Sequence, residues 1–149
     1  MNLNDVTSLL WIATFCFGIS FVLGMVKTRH SFPYGLQECP FIFIVIGFSL
    51  QTRALYLRGM EVHGCPLGNG LERTQFILWS LILAFLLLRL VWRLNLLGTF
   101  CAGASLLLGS LSLGLKEWDT PYWKAEGYTR LFQDPWIELH ASLAIFSYG

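Results

Sequence analysis

One histidine is placed where chemistry is hard to avoid. The stretch Asp134-Pro-Trp-Ile-Glu-Leu-His-Ala-Ser-Leu-Ala-Ile-Phe-Ser-Tyr-Gly149 opens as a helix does. Asp134 can cap the first N–H groups, Pro135 suits the first helical position, and Glu138 adds negative charge where the helix dipole favours it. The helix then turns apolar around a single imidazole, His140, on the side of Trp136 and Leu143. An ionisable group inside a membrane helix is costly to bury and is either paired or functional. His140 therefore has two readings: it bonds a neighbouring helix, or it serves as an axial ligand to haem iron. For the second, Trp136, Leu139 and Leu143 would offer an apolar face to the macrocycle.

Two other stretches hold reactive groups. His63-Gly-Cys-Pro-Leu-Gly-Asn-Gly-Leu-Glu72 carries His63 and Cys65, but two donors fall short of the four that a structural zinc site takes. Asn69 and Glu72 lead into an apolar run, so Glu72 can either cap a helix or face a site at its mouth. The segment from Lys116 to Asp134 holds Trp118, Tyr122, Trp123, Tyr128 and Phe132. These aromatics suit a belt at the lipid headgroups, or a platform for a flat apolar ligand.

The elements that position these groups are membrane spans. Of the 149 residues 55% are hydrophobic and 13% charged, with a mean hydropathy of +0.59, beyond what a soluble domain of this size needs. A net charge of +1 gives no case for a nucleic-acid partner. The four cysteines form no CxxC, and Cys16 and Cys101 fall in apolar runs where small thiols are ordinary. The expected fold is all-α: a polytopic transmembrane helix bundle forming a single domain over 1–149. Four full spans are expected at about 8–26, 41–58, 75–92 and 94–115, a truncated fifth at 136–149, and an external aromatic loop at 116–135. The first apolar run has neither a basic leader nor a good cleavage site and reads as a retained span. Gly98, Gly103, Gly109 and Gly114 in the fourth run read as close helix packing.

Loop charges set the expected orientation. Lys27 and Arg29 flank the first span, and Arg89 and Arg93 the third connection, whereas loops two and four are balanced or acidic. Positive-inside then puts the N-terminus, loop two and loop four outside. The last stretch, about 15 residues or roughly 22 Å of helix, is short of a bilayer core. Either the last helix is a half-span or this is the front part of a longer protein, and the second is the expectation.

Two elements in order resemble one family. Pro66-Leu-Gly-Asn69-Gly-Leu-Glu72 followed by Phe76 and Trp79, and Trp136-Ile-Glu-Leu-His140 followed by Ser147-Tyr148-Gly149, are similar to signature segments of the haem-handling cytochrome c assembly proteins of the system II CcsA/ResC type. The resemblance covers about residues 58 to 149. It implies a cytochrome c biogenesis protein of the cytoplasmic (inner) membrane that presents reduced haem b, as cargo and not as a permanent redox centre, on the outer face. There the haem is joined to the CxxCH cysteines of apocytochrome c. By the same resemblance His140 is an axial ligand to the haem iron, while Trp136, Asn69 and Glu72 belong to the cofactor-binding region. The family's tryptophan-rich WWD loop and second external histidine follow that histidine, and the sequence stops at Gly149 before either. The implied partners are therefore haem, apocytochrome c, lipid and a second assembly subunit. The complex, not this chain alone, would act as the haem lyase.

Two rivals stand beside this reading. One is a non-catalytic membrane subunit with a structural histidine. The other is a membrane thiol oxidoreductase, which would need paired outer cysteines with lowered pKa where only Cys65 is expected outside.

Overall fold

A computed structural model describes residues 5–29, 38–62, 67–92, 95–119 and 135–147. Over these residues the chain is all-helical, and four helices are long and apolar enough to cross a membrane. They are α1 (Val6–Arg29), α2 (Cys39–Val62), α3 (Gly70–Trp92) and α4 (Asn95–Gly114). A 3-10 turn at Lys116–Trp118 follows α4, and the shorter α5 spans Pro135–Phe146. This is a multi-pass membrane protein.

Capping groups explain where the helices start. Asp5 receives the Thr7 N–H and the Ser8 hydroxyl, both at 3.3 Å, so α1 begins at Val6. Pro40 stands in the first turn of α2, where its missing N–H costs nothing. The Asn69 side chain accepts the Glu72 N–H at 2.7 Å and starts α3 five residues before the expected 75. The polar run Glu72-Arg-Thr-Gln75 looks like loop by hydropathy, but the cap makes it the first turn of the helix. The second span is also longer than 41–58, because α2 carries Arg58 and Glu61 as an i,i+3 pair at 3.4 Å before ending at Val62. The first span widens from 8–26 to Val6–Arg29, and the fourth, expected at 94–115, is Asn95–Gly114. Of the expected fifth span at 136–149, Pro135–Phe146 is helix and Ser147 is in a turn. The remainder of that span and 120–134 of the aromatic loop lie outside the described residues.

The four spans run up and down. Ala13, Phe17, Ile44, Ile82, Phe85, Cys101 and Ala102 make one buried cluster between them. A second, of Leu9, Leu10, Ala54, Leu71 and Leu113, lies nearer the end where α3 starts. Large apolar side chains such as Phe15, Leu90, Phe100 and Leu107 point outward, as they do on helices that face acyl chains. Several hydroxyls inside the spans are satisfied by their own helix: Thr14 donates to the Leu10 carbonyl at 2.9 Å and Thr52 to the Phe48 carbonyl at 2.7 Å. The buried Ser105 hydroxyl on α4, by contrast, has no hydrogen-bond partner among the described residues. Ser20 instead donates across to the Pro40 carbonyl at 2.8 Å, tying α1 to the start of α2.

Glycines let α4 approach its neighbours. A Cβ on Gly103 would stand 2.8 Å from the Phe21 ring, and one on Gly98 would stand 2.6 Å from Phe85. Gly114 has nothing within 4 Å, so the packing expected of it is not found. On α1, a Cβ at Gly24 would meet Thr99, whose Cγ2 would lie 2.9 Å away. Thr99 is β-branched and cannot swing clear easily. Gly24→Ala is thus expected to lower stability by about 1–3 kcal/mol, as overpacking does. Gly114→Ala should leave the thermal midpoint in detergent unchanged or slightly raised. Equal midpoints for the two variants would contradict this packing.

Candidate functional site

The polar groups of the bundle gather where α2 ends and α3 begins. Arg58 on α2 is the hub. Its Nε donates to Glu72 Oε1 at 2.7 Å, and its fork reaches Asp119 Oδ1 at 2.8 Å and Glu61 Oε2 at 3.4 Å. Glu72 is 1% exposed, and its other oxygen accepts the Gly68 N–H at 2.8 Å. Both carboxylate oxygens are therefore engaged, which is what a buried charge requires. Asn69 works twice: its carbonyl caps α3, and its amide donates to Asp119 at 3.3 Å. Arg73 donates to the carbonyls of Leu67 at 3.0 Å and Gly68 at 3.4 Å. Trp118 completes the cluster by lying over Gly70, where an added Cβ would stand 3.3 Å from its ring.

A second polar layer lies deeper. Gln51 Nε2 donates to Gln75 Oε1 at 2.9 Å and to the Gln75 carbonyl at 3.1 Å. Gln75 in turn donates to Ser112 on α4 at 3.0 Å. This chain of amides links α2, α3 and α4 inside the membrane. Beside this amide chain, Trp79 donates to the Thr52 hydroxyl at 2.8 Å and stacks on Phe48 with ring centroids 5.7 Å apart.

His140 is on a different element. It is exposed on α5, whose main contact with the bundle is α3. Trp136, 77% exposed, and the exposed Leu139 and Leu143 flank it. At spacings of three and four residues these side chains share one helical face. No described hydrogen bond or ion pair joins His140 to the Arg58 cluster. Asn69 and Glu72 are thus brought together, and His140 and Trp136 form a separate surface. His63 and Cys65 lie outside the described residues, as do Tyr122, Trp123, Tyr128 and Phe132. Cys16 and Cys101 are buried in the spans as free thiols.

The donor set limits what these sites can hold. Among the described residues no group of three or more His, Cys, Asp or Glu is placed to bind a metal ion. One exposed imidazole within an apolar stripe fits a different demand, one axial position of an iron macrocycle with a greasy face against it. No known protein family, curated protein or solved structure matches this chain.

Arg58 and Asp119 were not among the residues singled out from the sequence. In the sequence Arg58 and Arg73 count as loop-two charges that balance Glu61 and Glu72. The legible signal was an arginine near the end of α2, with a glutamate opening the next span.

Proposed function

We propose that this chain takes part in cytochrome c biogenesis, handling haem at the outer face of the cytoplasmic membrane for covalent attachment to apocytochrome c. The reading rests on the two sequence elements around Asn69–Glu72 and Trp136–His140. The observation that carries it furthest is the exposure of His140 together with Trp136, Leu139 and Leu143 on one face of α5. A histidine that served only to bond a neighbouring helix would be turned inward. In this proposal His140 ligates the iron of haem b as cargo, and Trp136 lies against the ring. Asn69 and Glu72 act with Arg58 to fix the end of the bundle from which that surface is presented. Loop charges support an N-terminus outside. The chain works with a second assembly subunit, and the haem-lyase activity belongs to the complex.

The second reading, a non-catalytic membrane subunit, is favoured by the Arg58 cluster, whose charges pair among themselves. Cells lacking the chain distinguish the two. Covalent haem on their c-type cytochromes should fall sharply, return with the wild-type chain and fail to return with His140→Ala. Full rescue by His140→Ala would sink the proposed role.

A further inference from the structure

At the opposite end of the bundle the four spans leave a crevice of about 160 Å³. Its walls are apolar, with Phe41, Ile44, Phe85 and Leu96, and its rim carries two cations, Lys27 and Arg89. Lys27 is near the end of α1 and Arg89 near the end of α3, while Phe41 and Leu96 stand in the first turns of α2 and α4. All four lie within roughly 5 Å of a helix end along the axis. For helices that cross a bilayer, this is the depth of the lipid headgroups. Arg89 is already ordered there: its guanidinium lies 3.8 Å from the centre of the Phe41 ring and pairs with Glu38.

We propose that this crevice holds the headgroup of an anionic glycerophospholipid, with its phosphate between Lys27 and Arg89 and its first acyl carbons against Phe41 and Leu96. Volume limits what the crevice encloses to a headgroup-sized moiety, since sites that enclose a drug-sized molecule measure about 300–1,000 Å³. Charge decides for an anionic headgroup. Among the described residues the rim carries two cations, Lys27 and Arg89, against one exposed carboxylate, Glu38, and each basic group near the surface favours anionic lipid about fivefold. The apolar wall argues for a lipid over a free anion, because inorganic phosphate gains nothing from Phe41 or Leu96.

The test is lipid retention by the full chain purified in detergent, with phosphatidylglycerol, phosphatidylcholine and inorganic phosphate as probes, read by mass spectrometry of the intact complex. Phosphatidylglycerol should be held in preference to phosphatidylcholine. Lys27→Gln should weaken it about fivefold, and Glu38→Gln, which removes the rim's carboxylate, should tighten it by a similar factor. Both changes are at the periphery, so neither tests folding in disguise. Equal retention of the two lipids, or no response to Lys27→Gln and Glu38→Gln, would overturn the proposal. Displacement of the lipid by inorganic phosphate at comparable concentration would overturn it in favour of a small-anion site.

Discussion

Haem added to the detergent-purified chain is expected to give a Soret band characteristic of imidazole ligation, and His140→Ala is expected to shift or abolish it. Loss of an iron–imidazole bond removes a main hold on the metal. Affinity should fall by at least about tenfold, which corresponds to roughly 1.4 kcal/mol. Trp136→Ala should act differently. It strips an apolar surface from beside the ring but leaves the ligand, so the band should keep its position while binding weakens a few-fold. The sequence has two further histidines, His30 and His63, and substituting either should leave the spectrum alone. Identical spectra for wild type and His140→Ala would mean that any haem is held elsewhere, and His63 would be the next ligand to remove. Absence of bound haem in every variant would leave α5 as a packing element and favour the non-catalytic reading.

How far the sequence revealed this arrangement depends on how local each feature is. The spans were legible because a bilayer demands a long apolar run, and that demand is written within one segment. Their ends were not. Hydropathy stops at Gln75, whereas the helix starts at Gly70 because the Asn69 side chain caps it. Asn69 and Glu72 were recognisable as a pair three residues apart. Their partner Arg58 is 14 residues away from Glu72, and Asp119 is 61 residues away from Arg58. Such pairing exists only once an up-and-down bundle brings the end of α2, the start of α3 and the turn after α4 together. The outward direction of His140 was equally out of reach, since spacing gives the shared face of α5 but not the side on which the bundle lies. Lys27 and Arg89 entered the sequence reading only as loop charges. Their meeting at one crevice is again a product of topology.

Arg58→Ala is expected to be the most damaging single change in the bundle. It leaves Glu72, 1% exposed, with one backbone N–H and no cation. Removing one partner of a buried ion pair costs about 3–5 kcal/mol, enough to consume a large part of a small domain's stability. The three carboxylates around Arg58 should not count equally. Asp119 is 40% exposed in its side chain and Glu61 58%, so Asp119→Asn and Glu61→Gln should each cost no more than about 1 kcal/mol, as solvent-facing pairs do. The double variant Arg58→Leu with Glu72→Leu should regain most of the loss, because it removes the stranded charge as well as its partner. Thermal unfolding in detergent across this set would measure the coupling. A cost below about 0.5 kcal/mol for Arg58→Ala, within the range of ordinary surface substitutions, would show that the cluster does not hold this end of the bundle together. A large cost accompanied by full recovery in the double variant would identify the cluster as structural. Haem titration of that recovered variant then separates the two roles of Glu72. Binding that returns with stability makes Glu72 a fastener for the end of α3, whereas binding that stays lost makes its carboxylate part of the haem site.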